Sequence, residues 1–168
     1  MSPTAVQDLR PFAAHSPDRE RPLGGYAVLT STFGVLAGGF ATWLARSGRP
    51  IPERPSAADL ALTAVATHKL SRLIAKDRVT SAVRAPFTEF QDDAGPGEVE
   101  EAARGHGLHR AVGELLICPY CLGMWAATGF TAGLLTAPRA TRWTMSVFTA
   151  LTASDVLQLA YASAEERL

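Results

Sequence analysis

Residues 22–45 read PLGGYAVLTSTFGVLAGGFATWLA and contain no charged side chain. A second uncharged stretch covers residues 115–138, and residues 143–164 contain a single charge, Asp155. A helix of about 20 mostly apolar residues is long enough to cross the hydrocarbon core of a bilayer. Three such stretches in 168 residues leave little polar helix to cover them in water. The pattern predicts a polytopic membrane protein whose spans are helices.

The composition is consistent with this class. Hydrophobic residues make up 47% of the chain, which is at the upper end for a soluble protein. The 16 basic and 16 acidic residues balance, so no strong field attracts nucleic acid, and we expect no nucleic-acid partner. Two cysteines form at most one bridge or half of a metal site.

The expected fold is an all-α integral membrane helical bundle with three or four transmembrane helices and a polar cytoplasmic loop. Residues 1–22 contain four prolines and scattered charges and are predicted to be a disordered amino tail. Residues 23–168 are predicted to form a single helical membrane domain. Its helices are expected at residues 26–45, 57–75, 119–137 and 143–164. The second carries HKLSRLIAKDR near its end, so it either spans the bilayer or lies partly in the interface.

Residues 76–114 are predicted to form a polar loop with one short helix of its own. Pro96 suits the first turn of that helix, the acidic residues Glu98, Glu100 and Glu101 follow, and Gly105 can end it. With four spans, the side of the bilayer that holds this loop has nine Lys and Arg against five, and with three spans it has eleven against five. The positive-inside rule therefore predicts a multi-pass protein of the cell membrane with this loop and the following CPYC motif in the cytoplasm.

Two segments resemble a known family. HKLSRLIAKDRVTSAVRAPF at residues 68–87, followed by GELLICPYCLGMW at residues 113–125, is similar to the bacterial domain-of-unknown-function family 1360. The resemblance covers about half of the chain. It implies a small helical membrane protein with no established activity, and some members of the family are labelled as sporulation proteins. The residues that match the family pattern are Ser71, Arg72, Asp77, Arg84, Pro86, Glu114, Cys118, Pro119, Cys121 and Trp125.

The CPYC motif at residues 118–121 is a candidate redox site. Pro119 suits the first position of a helix, which places Cys118 at the cap and Cys121 in the first turn. Unpaired amides at a helix start favour a thiolate, so a membrane thiol oxidoreductase is one alternative function. Membrane thiol oxidases normally need a second cysteine pair, and this chain has one pair, predicted to face the reducing cytoplasm.

A metal site and a purely structural role are the other interpretations of the motif. His106 and His109, together with Cys118 and Cys121, offer the Cys2His2 ligand set of a structural zinc site. Alternatively, the cysteines only pack as small semi-polar residues at the mouth of the helix. The sequence leaves all three interpretations open, with zinc as the one cofactor that it suggests.

Charged residues inside the apolar segments need partners. An isolated carboxylate such as Asp155 in the middle of a spanning helix costs about 3 kcal/mol or more. We expect Arg72 to pair with Asp155, with Lys69 as the substitute partner. Glu114 can pair with Arg84 or, one helical turn away, with Arg110. The polar residues singled out as structural or functional candidates are Lys69, Arg72, Asp77, Arg84, Glu114 and Asp155. Their functional alternative is a site for protons, ions or an anionic lipid headgroup.

These features favour a structural or interaction protein at the cytoplasmic membrane over an enzyme. The sequence contains no nucleotide-binding loop and no nucleophile–base arrangement. Glycines four residues apart, at 34 and 38 and again at 129 and 133, let another helix approach closely in lipid. We expect the lipid bilayer as a partner, and either a second copy of the chain or another membrane protein along these glycine-rich faces.

Overall fold

The computed structural model describes residues 21–167, and this part of the chain forms six α-helices and one two-stranded antiparallel sheet. The helices are α1 (Leu23–Arg46), α2 (Ala57–Lys76), α3 (Ser81–Arg84), α4 (Gly107–Leu116), α5 (Pro119–Thr136) and α6 (Pro138–Glu165). The strands are β1 (Thr88–Gly95) and β2 (Glu98–Ala103). The predicted disordered tail lies outside the described residues, apart from its last two positions.

The local sequence explains where two of the helices, α2 and α6, begin. Ser56 caps α2, because its side chain accepts the backbone N–H of Asp59 at 3.0 Å. Pro138 begins α6 directly after α5, with only Ala137 between them. Residues 138–142, which lie between the expected helices 119–137 and 143–164, are therefore the first part of α6. Proline is tolerated there because the first helical N–H groups have no partner within the helix.

The core lies where α2 packs against both α5 and α6. Each helix gives one buried residue to its centre, namely Ala66, Phe130 and Met145. The ring of Phe130 meets that of Phe148 edge-on, with centroids 6.1 Å apart. Further apolar side chains surround this centre, and they are Leu62, Leu70, Leu134 and Phe148. Burial of these side chains holds the three helices together.

The segment predicted to be a polar loop with a short helix is mainly a β-hairpin, and the all-α prediction was wrong on this point. Strand β1 pairs with β2 in a register that sets Thr88 opposite Ala103 and Asp93 opposite Val99. The connecting turn has positive φ angles at Gly95 and Gly97, which glycine adopts without the strain that other residues meet. The glutamates at 98–101 thus belong to a strand and not to the first turn of a helix.

Helix α1 contacts the rest of the protein mainly through its first turns. A Cβ added at Gly25 would lie 2.5 Å from the Cβ of Ala111 on α4, so the two backbones approach closely there. Farther along, the ring of Phe33 meets Trp125 of α5 at 5.1 Å between centroids. Most of the remaining surface of α1 is exposed, including Val35.

Among residues 21–167, α1 is the one helix that is long and apolar enough by itself to cross a membrane. Helices α4 and α5 meet the same criterion only as a pair, and they are bent by 79° relative to each other. The prediction of three or four transmembrane helices was therefore wrong. The segments with few or no charges in α5 and α6 contain many Gly, Ser or Thr residues, and a segment with few charges is not necessarily apolar enough to span.

Candidate functional site

Four of the polar residues singled out in the sequence line one groove. They are Lys69, Arg72, Asp77 and Asp155. The groove has a volume of about 710 Å³ and lies between α2, the turn of the hairpin at residues 94–98 and the second half of α6. Apolar side chains of α6, among them Val156 and Leu159, form part of its wall. It thus presents charged and apolar surface side by side.

Two ion pairs cross the groove. The Nζ of Lys69 lies 2.8 Å from the Oδ2 of Asp155. Arg72 instead binds Glu98 through two parallel hydrogen bonds, from Nε and Nη2, both 2.7 Å long. The predicted pairing of Arg72 with Asp155 is therefore absent, and Lys69, the expected substitute, takes its place.

Asp77 lies at the end of α2, where the helix meets the hairpin. Burial raises the pKa of its carboxyl group above the ordinary value. The neighbouring carboxylates of Glu98 and Asp155 raise this pKa further, while the ammonium group of Lys69 opposes the change. Asp77 therefore accepts a proton more readily than an exposed aspartate does.

The hairpin is tied to the end of α2 by a row of charge pairs. Their distances are 2.7 Å for Arg72–Glu98, 2.8 Å for Lys76–Glu100 and 2.7 Å for Arg78–Asp93. Each pair has at least one partner whose side chain is about half exposed or more, so each contributes at most about 1 kcal/mol. The row fixes where the hairpin lies over α2. Sequence reasoning missed this row, because Glu98 and Glu100 were assigned to a helix.

Arg84 lies at the centre of this end of the protein. Its side chain is fully buried, and its Nε donates to the Oε2 of Glu101 at 2.9 Å. It also donates to the carbonyl of Ile74 at 2.6 Å and to that of Asp77 at 3.1 Å. These are carbonyls at the end of α2, where a cation complements the helix dipole. Arg84 therefore joins α2 to the hairpin and caps the helix.

Glu101 is the matching anion, and sequence reasoning missed it. Burial works against ionisation of its carboxyl group, but hydrogen bonds from Arg84, Ser81 and Thr88 outweigh it and lower the pKa to about 2. The sequence signal that indicates its place is G-P-G at residues 95–97. Glycines around a proline are typical of a tight turn, and such a turn places residue 101 in the returning strand of a hairpin.

The two cysteines are joined by a disulfide, with their Cα atoms 5.2 Å apart. Cys118 is the cap of α5 and Pro119 is its first residue, as the sequence predicts. The Sγ of Cys118 accepts the backbone N–H of Cys121 at 3.1 Å. The side chain of Tyr120, between the cysteines, is 92% exposed. This corner of the protein is open to solvent.

The histidines are placed at the start of α4. His109 faces the ring of Phe87, with centroids 5.0 Å apart, and its Nδ1 lies 3.1 Å from the carbonyl oxygen of Arg104. His106 is the residue that precedes α4. Within residues 21–167, no group of three or more His, Cys, Asp or Glu side chains is arranged to hold a metal ion. The Cys2His2 zinc site stays a prediction without support from this geometry.

Glu114 joins α4 to α1. Its Oε1 accepts a hydrogen bond from the Nε of Arg110 at 3.0 Å, and its Oε2 accepts one from the hydroxyl of Tyr26. Of the two partners considered for Glu114, the structure selects Arg110, because Arg84 is engaged with Glu101. The bond from Tyr26 places the start of α1 at the same end of the molecule as the hairpin.

The fold and the site define a small helical protein with one exposed apolar helix and a charged end built from a helix terminus and a β-hairpin. The chain belongs to the family described as Protein of unknown function (DUF1360), whose model matches residues 62–161. This confirms the resemblance indicated by the two motifs. The matched region contains the four charged residues of the groove, the Arg84–Glu101 pair and the CPYC motif, and α1 precedes it.

A curated relative of the chain is named as a sporulation protein. The chain is 29% identical over 87 residues to the sporulation protein YjcA of Bacillus subtilis (strain 168). The aligned part is 50% of this chain and 74% of the relative. No solved structure matches the chain.

Proposed function

We propose that the protein is a membrane-attached interaction protein, with α1 as its anchor and the charged end as its partner-binding surface. The observation that carries the proposal is the exposure of α1. This helix has 24 residues, and only 6% of its most apolar 18-residue segment is buried within the protein. An apolar surface of this extent on a single chain is typical of a membrane or interaction surface.

The dimensions and ends of α1 suit a bilayer. At about 1.5 Å per residue the helix is about 36 Å long, which exceeds the roughly 30 Å of a hydrocarbon core. Trp43 lies near its carboxyl end, with the guanidinium of Arg49 5.6 Å from the ring centroid. Aromatic and basic residues commonly anchor a helix at the membrane interface.

The charged end is proposed to face the cytoplasm. The bond from Tyr26 to Glu114 joins the start of α1 to this end. Residues 76–114, which build most of this end, contain five Lys and Arg. Basic residues next to a membrane helix favour a cytoplasmic location.

The groove is proposed as the place where a partner binds. The side chain of Arg72 is 47% exposed and that of Asp155 is 45% exposed. A partner segment that carries both a cation and an anion could pair with these two groups while covering the apolar wall. Complementary charges of this kind contribute mainly to the specificity of binding.

Helix α1 also offers a packing face for another helix. A Cβ added at Gly34 or Gly38 would meet nothing within 4 Å, so this face has room for a close neighbour. Small residues four apart favour helix association in lipid. We propose that a second copy of the chain packs here.

Membrane extraction tests the anchor. Full-length protein is expected to stay in the membrane fraction after an alkaline carbonate wash. Replacing Val35 and Leu36 together by Arg places two charges in the middle of α1, at a cost of about 3 kcal/mol each in a bilayer, and should release the protein. The matched control replaces Val79 and Val83, exposed at the charged end, and should stay bound. Release of the unmodified protein, or retention of the α1 variant, would refute the proposal.

The name of the relative supports a role in spore formation or a related step at the membrane. Deletion of the gene in a spore-forming host, followed by counting of heat-resistant spores, tests this role. If the full chain restores the number of heat-resistant spores but the Val35 and Leu36 variant does not, spore formation requires membrane attachment of this protein. An unchanged count after deletion would contradict it.

A further inference from the structure

The bonded cysteines differ in their surroundings. Cys121 is exposed on the first turn of α5, whereas Cys118 is partly buried at the junction with α4. Tyr120, on one side of Cys121, is 92% exposed, and Met124, one turn farther on, is 49% exposed. An incoming thiol therefore has access to the sulfur of Cys121 before that of Cys118.

The surroundings also decide which sulfur leaves more easily. The Sγ of Cys118 accepts the backbone N–H of Cys121 and lies at the amino end of an 18-residue helix. Both the amide and the helix dipole stabilise negative charge at that position. In thiol–disulfide exchange, the better stabilised thiolate is the faster leaving group. The easier access to Cys121 and the more stable thiolate of Cys118 thus both favour attack on the sulfur of Cys121.

We propose that Cys118 and Cys121 are a redox-active pair that exchanges two electrons with the dithiol of a partner protein, through attack on the Sγ of Cys121. The partner's thiolate forms a bond to this sulfur, and the bond between the two cysteines breaks. Cys118 leaves as a thiolate. The partner's second thiol, after losing its proton, attacks the mixed disulfide and releases Cys121 as a thiolate. The partner is oxidised to a disulfide, and the pair takes up two electrons and two protons.

The exposed Tyr120 and Met124 indicate the kind of partner that fits. They flank the attacked sulfur with an aromatic and a flexible apolar side chain, which suit contact with a polypeptide more than with a small charged thiol. The proposal does not depend on membrane attachment, since the same exchange can be followed in detergent.

The direction of attack is tested by mapping a trapped intermediate. The oxidised full-length protein in detergent is treated with glutathione, a monothiol, quenched in acid, and alkylated before mass spectrometry. The expected product carries glutathione on Cys121 and the alkyl group on Cys118. Glutathione found mainly on Cys118 would overturn the assigned direction. Failure of dithiothreitol to reduce the folded protein would overturn the redox role itself.

Single variants supply a second measurement. The variant Cys121→Ser leaves the thiol of Cys118, and the variant Cys118→Ser leaves that of Cys121. The thiol of Cys118 should react with a disulfide reagent at a much lower pH than the thiol of Cys121. Both variants keep a hydrogen-bonding group at the substituted position, so the helix start should be preserved. Tyr120→Ser, which leaves both thiols in place, should still be reduced by dithiothreitol but react more slowly with a protein dithiol such as reduced thioredoxin. Equal pH profiles for the two thiols would contradict the proposal.

Discussion

Arg84 and Glu101 form an ion pair that is withdrawn from water, with 0% and 5% of their side chains exposed. Two hydrogen bonds of 2.9 Å join the guanidinium to the carboxylate. The same guanidinium reaches carbonyls at the end of α2, and Ser81 and Thr88 donate to the same carboxylate. Because each charge has several partners, the pair can be buried without an orphaned group.

The first prediction concerns the strength of this pair. Removing one member leaves the other charge buried and unpaired, which typically costs about 3–5 kcal/mol. Arg84→Ala and Glu101→Ala should each lower the free energy of unfolding by about this amount. The double variant should lose less than the sum of the two, since it strands no charge. Denaturant unfolding in detergent micelles measures all three.

Arg78→Ala is the matched control for Arg84→Ala. Its partner Asp93 and its own side chain are more than half exposed, so the loss should be about 1 kcal/mol or less. If Arg84→Ala is no worse than Arg78→Ala, the buried pair does not hold the hairpin on α2.

The second prediction is a dependence on acid. The pKa of Glu101 is about 2 in the folded protein, against 4.5 for an unperturbed glutamate. The unfolded chain therefore binds this proton more readily, and the stability from Glu101 is complete above about pH 4.5 and lost as the pH falls toward 2. The full loss is about 3 kcal/mol, at about 1.4 kcal/mol per pH unit. Unfolding curves measured from pH 7 to pH 2 should show it.

Glu101→Gln is the variant that isolates this contribution. Glutamine keeps the shape of the side chain but has no proton to gain. The variant should be less stable than the natural protein at pH 7, and its stability should fall less between pH 4.5 and pH 2. If the free energy of unfolding falls equally in both proteins over that range, groups other than Glu101 cause the acid sensitivity.

The long helices could be predicted from the sequence, whereas the attachment of the hairpin to α2 could not. Uncharged stretches and a proline at position 119 mark the helices within the chain. The hairpin depends on pairing between β1 and β2 and on glutamates that bind cations of α2. Glutamate has little preference for strands, so its position here is decided by partners that lie 24 and 26 residues away in the chain.

The sequence indicated single residues of the groove but not the groove itself. The groove residues Lys69, Arg72, Asp77 and Asp155 were all singled out. Arg72 was the preferred partner of Asp155 and Lys69 the substitute, and the structure reverses this order. Helical spacing could not decide between them, because it does not show which face of α6 turns toward α2. The number of spans was overestimated for a related reason. Residues such as Ala66, Phe130 and Met145 are buried in contact among helices, and absence of charge does not distinguish this from contact with lipid.

The third prediction separates the two pairings across the groove. Lys69 contacts Asp155, whereas Arg72 contacts Glu98. Lys69→Met and Asp155→Asn should therefore be coupled by about 0.5–2 kcal/mol in a double-mutant cycle. Arg72→Met and Asp155→Asn should be additive within about 0.5 kcal/mol. A larger coupling for Arg72 than for Lys69 would restore the pairing that the sequence suggested.

The fourth prediction concerns the contact between α1 and α4. A methyl group at Gly25 would lie 2.5 Å from the Cβ of Ala111 and 3.0 Å from the carbonyl oxygen of Gly107. Gly25→Ala should destabilise this contact by about 1–3 kcal/mol, the usual range for overpacking. Faster proteolysis between α1 and α2 would report it. Gly39→Ala, at a position of the same helix with open space around it, is the control and should not increase cleavage.

The last prediction tests self-association along α1. A Cβ at Gly38 meets nothing within 4 Å in the single chain, so Gly38→Leu should leave the unfolding of the monomer unchanged or slightly improved, since leucine favours helix over glycine by about 0.5–1 kcal/mol. If a second copy packs on this face, the same leucine holds the two backbones apart and should reduce cross-linked dimer in membranes. Gly129→Leu, equally unhindered but on α5, controls for added bulk and should leave the dimer intact. If Gly38→Leu forms as much dimer as the natural protein, the two copies meet on another surface. If the natural protein and both variants are all monomeric, the chain does not self-associate.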